Sequence, residues 1–469
     1  MTIPVASVPD IKQAEFQIDY IRVALATALF LGFAIGAHLS FVIGFDFPLG
    51  QGFYSFIQIH GHVQLVGWVG LFIIGISLHF IPRLAGVPIA QPKWLDRILW
   101  LIALGLLLRS LGHSILPYLV DRAGFVYVNW LVAVSGLSEW LGIVIYLTLL
   151  AGIIRRVKSL GMRPAMAQVA PFFLMLLSGW IIYASLNFFL LIQMALRRAV
   201  VIDQGWNEFA IQTFIGLILL PVAFAFSVRM FPLYLRLSAP GWPVRATAFV
   251  YLSAFCLQII PTLPPLQNAI PEFSHAISSL GAIIKCGVIL WFVWQLDLLT
   301  RRRLPWTVNR IFQPGPDRRP TRPNLPDYGE FGRFERLVYS AYLWLVPGAA
   351  FEMLSALSVL LKFSLLHSSD AARHLYLLGF ITNLILGMSA RMIPGFMGKK
   401  KVASTKLVDA TFWLGNTAAI FRVVPLILPL ALFDVIPSLV QMAQVTFAFS
   451  GMLGLFAILC LTINLCRTA

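Results

Sequence analysis

The residues with the most chemical reach are histidines set in apolar surroundings. The stretch from Gln58 to Arg83 is long and apolar enough to cross a bilayer as one helix, yet it carries His60, His62 and His79. Imidazoles in hydrocarbon need partners, and a metal ion or a haem iron best accounts for two of them near one end of a span. His60 and His62 lie roughly 200° apart around a helix, so only one of them can face a given centre.

The stretch recurs within the chain. Gly61 to Gly86 overlays Arg373 to Gly398 without a gap, pairing His62 with His374, Gly67 with Gly379, Gly75 with Gly387, Ser77 with Ser389, His79 with Arg391 and Pro82 with Pro394. A fainter copy pairs His62 with Gln212, His79 with Arg229 and Pro82 with Pro232. The first and third copies keep the histidine. His62 and His374 are therefore the expected axial pair of a six-coordinate, bis-imidazole haem. His60 is left for a second metal site with His38, His113 or His275, or for a hydrogen bond to a carbonyl.

Charges inside spans extend the set. Arg109, Glu139, Lys285, Glu352 and Arg422 fall in apolar runs, where single charges are costly, so pairs facing the interior are expected. Arg109 and His113 are four apart and share a helix face, which suits either a haem propionate or a structural ion pair. Arg109 and Arg422 join the expected cofactor-binding residues. His79, Arg229 and Arg391 read as helix-end groups facing carbonyl termini and lipid phosphates, with an inner anion clamp as the functional alternative.

The elements that must position these groups are transmembrane helices. The chain has 469 residues, 59% hydrophobic and 12% charged, with a mean hydropathy of +0.85, which marks an all-α polytopic membrane protein forming one integral domain. Apolar runs predict twelve helices at about 20–43, 54–82, 96–118, 129–154, 169–196, 208–235, 245–264, 274–300, 335–363, 373–396, 406–430 and 436–465. The copies begin at spans two, six and ten. That period of four gives repeat units of about 20–154, 169–300 and 335–465, and a pseudo-threefold bundle of three four-helix units. Residues 301–334 form the one long loop, an Arg- and Pro-rich connector suited to anionic headgroups.

The net charge of +16 comes from basic residues in loops, with no element suited to nucleic acid. Basic residues concentrate after the even-numbered spans, which places both termini in the cytoplasm. The N-terminus lacks a cleavage site, and its first apolar run is kept as the first span. At about 1.5 Å per residue, all the histidines but His79 then fall on the outward side, His367 among them in the loop before span ten. Cys256, Cys286, Cys460 and Cys466 lie in or at the ends of apolar runs without a Cys-x-x-Cys pair, which excludes a disulfide framework, a zinc site and an iron–sulfur cluster.

The His-x-His of the second span with its Ile-Pro-Arg exit, together with His374, Gly379 and Arg391-Met-Ile-Pro-Gly-Phe-Met-Gly, resembles the NnrS family of haem- and copper-containing membrane proteins. The resemblance covers the twelve-span layout and is specific in 58–86 and 373–401. It implies haem b, with copper as a further metal, a bacterial inner-membrane location, and a role in nitric oxide metabolism or protection from nitrosative stress. It carries His60, His62 and His374 over as haem or metal ligands. The layout is also similar to the catalytic subunit of haem–copper oxidases and nitric oxide reductases. That resemblance stops at the binuclear centre: span six holds Gln212, the seventh span has no histidine, and span ten has only His374. An oxidase-like redox subunit without the usual copper ligands, or a non-redox proton or ion transporter, are the alternatives. The sequence contains no electron-carrier motif, so a redox role needs an external donor. Lipid and a small diatomic ligand complete the expected partners.

Overall fold

A computed structural model of the chain describes residues 15–303, 327–363, 369–428, 433 and 435–469. His367 and connector residues 304–326 lie outside the described residues. Within those described, twelve helices are long and apolar enough to cross a membrane: α1 Ile18–Gly44, α2 Phe53–Ala85, α3 Trp94–Leu119, α4 Gly124–Ser159, α5 Pro164–Leu196, α6 Gln204–Leu235, α7 Val244–Thr262, α8 Pro271–Leu296, α9 Phe334–Leu361, α10 Asp370–Phe396, α11 Thr405–Ile427 and α12 Ser438–Thr468.

Burial separates these helices into two kinds. The most apolar windows of α2, α6 and α10 are 89, 72 and 83% buried, against 28–50% for the other nine. Three helices therefore form the interior and nine surround them. The outer helices pack as arcs: α3 on α4 on α5, α7 on α8 on α9, and α11 on α12 on α1. Each arc closes on the inner helix that follows it, α6, α10 and α2 respectively. The period of four read from the sequence is thus realised in space, offset by two spans from units of 20–154, 169–300 and 335–465. The third arc is assembled from both ends of the chain, with α12 packed on α1.

The inner helices share their irregularities in register. Each contains a wide π-helical turn, at Val63–Gly70, Phe214–Leu219 and Leu375–Thr382. The first and third stand in identical repeat positions, immediately after His62 and His374. Such turns leave carbonyls short of helical partners, and they occur often at functional sites. In α10 the side chains of Thr382 and Asn383 satisfy the freed carbonyls of Leu377 and Gly379 at 2.7 and 2.9 Å.

Ser77, Ser227 and Ser389, again equivalent, are all buried. The repeated glycines mark close helix crossings. A Cβ on Gly75 would come within 2.7 Å of Tyr20, and one on Gly387 within 2.8 Å of Leu337. The inner helices also end alike, with Gly86, Arg236 and Gly398 in left-handed conformation at φ 72°, 50° and 73°. The middle copy keeps this conformation without the glycine that favours it.

The connector begins by folding back on the bundle. Asp297, just past α8, accepts bonds from Thr300 Oγ1 at 2.6 Å and from the backbone N–H groups of Arg302 and Arg303 at 2.8 and 2.7 Å. Burial pushes its carboxyl up, but these bonds and the Arg302 guanidinium outweigh burial and hold it below the usual aspartate range. Arg301 donates to the carbonyl of Leu235, and Arg302 stacks on Trp294. Arg391 lies over Phe331 and within 3.8 Å of Asp327, so the returning connector engages it rather than lipid phosphate. His79 packs between Phe16 and Phe396.

Candidate functional site

A chamber of about 230 Å³ lies among α1, α2, α10, α11 and α12 and reaches toward α3, α5 and α6. That is far more than the roughly 10–15 Å³ a single water requires. Its polar lining includes His60, His62 and His374, with Arg109, Arg373 and Arg422; its walls are apolar.

His60 is held by α1. The π-helical turn at Ala28–Phe33 presents the carbonyl of Gly32, and His60 Nδ1 lies 2.8 Å from it. A carbonyl only accepts, so Nδ1 carries the proton and Nε2 keeps its lone pair. The ring sits in a notch over Gly36, where a Cβ would approach within 2.5 Å. Among the described residues no hydrogen bond engages Nε2. His374 has the same tautomer for the same reason, with Nδ1 2.7 Å from the carbonyl of Asp370. Its Nε2 accepts a bond from Arg422 Nε at 3.1 Å. Donating one ring nitrogen to a carbonyl is how metal-ligating histidines are commonly oriented.

His62 is placed differently. Its Nε2 is 2.8 Å from Glu139 Oε2 on α4, and its Nδ1 is 3.1 Å from the Tyr183 hydroxyl on α5. Both ring nitrogens are engaged. Beside it Arg109 donates to Asn187 Oδ1 at 2.5 Å, with Glu139 within electrostatic reach.

Among the described residues neither Arg109 nor Arg422 has an ion-pair partner within 4.0 Å. Arg109 Nε, Arg422 Nη1 and Glu139 Oε1 are buried without hydrogen-bond partners. Arg422 rests over the Phe447 ring at 4.3 Å. Arg373 is paired with Glu208 and, at 3.1 Å, with Asp370.

The remaining histidines do not converge on the chamber. His38 is exposed, with its ring near that of Phe56. His113 is fully buried, but it bonds the carbonyl of Val200 at 2.8 Å, and His275 is exposed. Arg109 and His113 share a face as expected, yet they reach separate partners. Among the described residues no three His, Cys, Asp or Glu side chains are grouped to hold a metal ion.

A haem makes different demands: an apolar slot, one imidazole from each side and cations for its propionates. The residues present fit that list. His374 comes from α10 and the pair His60 and His62 from α2, and Arg109 and Arg422 supply guanidiniums without an ion-pair partner among the described residues. Copper finds no comparable donor set among the described residues. Tyr183, Asn187 and the Gly32/Gly36 notch escaped sequence reasoning. Only the four-residue spacing of the two glycines in an apolar run was there to be noticed.

A second polar cluster lies away from the chamber. Glu352 Oε1 accepts from Lys285 Nζ at 2.7 Å and Gln258 Nε2 at 2.8 Å, while Oε2 accepts from the Tyr376 hydroxyl at 2.7 Å and the Cys286 thiol at 3.4 Å. The sequence expectation of paired mid-span charges is met here. Glu139 pairs instead with a histidine. No protein-family profile matches the chain, and no curated protein matches it either.

Proposed function

We propose that this chain is a haem b protein of the bacterial inner membrane, with both termini cytoplasmic. It handles or senses nitric oxide, or moves an electron for such chemistry, as its resemblance to the NnrS family implies. The observation that carries the reading is the convergence of His374 with the His60 and His62 pair on one chamber lined by unpaired guanidiniums.

In this reading His374 and one histidine of α2 would hold the haem iron, and Arg109 and Arg422 would neutralise its propionates. An unpaired cation in the interior is costly, so an anionic group is the partner these arginines lack. When bound, the haem supplies a one-electron couple, and two imidazole ligands favour electron transfer over ligand binding at the iron. The Gly32 and Asp370 carbonyls fix the tautomers of His60 and His374, and apolar walls limit water. Electrons come from an external donor. No step is assigned to copper.

The test is an optical spectrum of the full-length protein purified after haem-replete expression. A split α/β spectrum on reduction is expected. A colourless preparation, or haem content unchanged in His374→Ala, would overturn the proposal.

A further inference from the structure

We infer that the α2 histidine poised to ligate iron is His60 rather than His62, so that the axial pair is His60 with His374. This rests on the haem reading above.

The three inner helices are related by a rotation, and a rotation carries equivalent side chains into successive clefts of the bundle, not into one. His62 and His374 occupy equivalent positions. His62 faces the following arc, reaching Glu139 on α4 and Tyr183 on α5. His374 likewise faces the arc that follows α10, reaching Arg422 on α11. The register that singled out this pair in the sequence is therefore the reason they point into different clefts.

A residue two positions away lies on the opposite helix face and points back into the preceding arc. His60 does this, packing against Gly32 and Gly36 of α1, in the cleft formed by α11, α12, α1 and α2. Tyr376 does the same from α10, reaching Glu352 on α9. Hence the two imidazoles sharing one cleft are the inequivalent ones.

The local chemistry agrees. His60 and His374 each give Nδ1–H to a backbone carbonyl, which leaves Nε2 as the only lone pair of the ring. They lie within electrostatic reach of one another and of Arg422. The charged groups facing His62 are Glu139 and Arg109. Binding iron through His62 Nε2 would strip Glu139 of the partner of Oε2, when Oε1 already has none. At His60 nothing is displaced. At His374 only the Arg422 contact must yield.

The full-length protein, expressed with haem and purified in detergent, is compared by optical and low-temperature electron paramagnetic resonance spectroscopy with His60→Gly, His374→Gly and His62→Gly. The first two are expected to lose the low-spin, six-coordinate signal and about tenfold in retained haem. Added imidazole should restore the signal, which also establishes that these variants are folded. His62→Gly is expected to stay low-spin. A second pair sharpens the test: Gly36→Ala, whose methyl group presses on the His60 ring, should shift the low-spin g-values, and Tyr183→Phe, which removes the hydroxyl bonded to His62 Nδ1, should not. A high-spin, imidazole-rescued His62→Gly beside a low-spin His60→Gly overturns this assignment and leaves the haem reading standing. Equal loss in both variants also overturns it. A colourless wild type overturns the haem reading and this inference with it.

Discussion

The chamber and the Glu352 cluster are both polar islands in an apolar bundle, but they are finished differently. Around Glu352 both carboxylate oxygens are bonded and the lysine is paired, with Gln258 Oε1 the one buried atom of that cluster left without a partner among the described residues. Around the chamber Arg109, Arg422 and Glu139 keep polar atoms with no partner, and His60 keeps a lone pair with no donor. A satisfied network contributes to holding helices in register, whereas a half-satisfied one is costly unless something else completes it. On the proposed reading the Glu352 cluster serves architecture and the chamber serves a ligand.

Substitutions should therefore split by readout. The largest effect is expected at the closed cluster: Lys285→Ala leaves Glu352 unpaired and should lower stability in detergent by about 3–5 kcal/mol, with haem per folded chain unchanged. Replacing both partners, Lys285→Met with Glu352→Leu, should recover most of that loss. Thermal unfolding and haem content measured on the same samples check both. If Lys285→Ala strips haem without destabilising the chain, the division of labour is wrong.

Arg422→Leu should behave in the opposite way. Haem retained through purification falls several-fold, while the haem-free protein loses no more than about 1–3 kcal/mol, since the bond to His374 and the contact with Phe447 go but no ion pair is lost. A smaller effect belongs to the scaffold that both regions share. Arg236 holds a left-handed conformation at the site where the sister helices have Gly86 and Gly398, so Arg236→Gly should stabilise by about 1 kcal/mol. Unchanged or lower thermal stability would show that the strain is relieved elsewhere.

The smallest is a pH effect outside the bilayer. Asp297 titrates below its unfolded-chain value of about 3.9, so its contribution is full above that value and is lost as pH falls through the folded value. Acid unfolding followed by circular dichroism should lose part of its pH dependence in Asp297→Asn. Identical profiles would contradict the assignment.

Much of this architecture was legible from residues alone. Twelve apolar runs gave the spans, and the gapless register of Gly61–Gly86 with Arg373–Gly398 picked out the helices that prove innermost. On the proposed assignment of His60, the same register misdirects at the site. It ranks His62 with His374 because pattern matching finds equivalent positions, and only spatial rotation reveals that equivalent positions face different clefts. Mid-span charges were legible as needing partners, but which partner was not: Glu139 takes a histidine, and Arg109 an amide. Nothing in the periodicity marks the carbonyls of Gly32 and Asp370, whose role is fixed by backbone geometry. The chemistry of the connector was likewise hidden, because Arg391 and Asp327 meet through tertiary folding rather than local pattern.

The most direct measurement is haem and iron per chain, by pyridine haemochrome and elemental analysis, for the wild type and His374→Ala after haem-replete expression. The account predicts one haem iron per chain in the wild type and its loss when His374 is removed. A wild type without iron, or a His374→Ala variant that retains its haem in full, would contradict it.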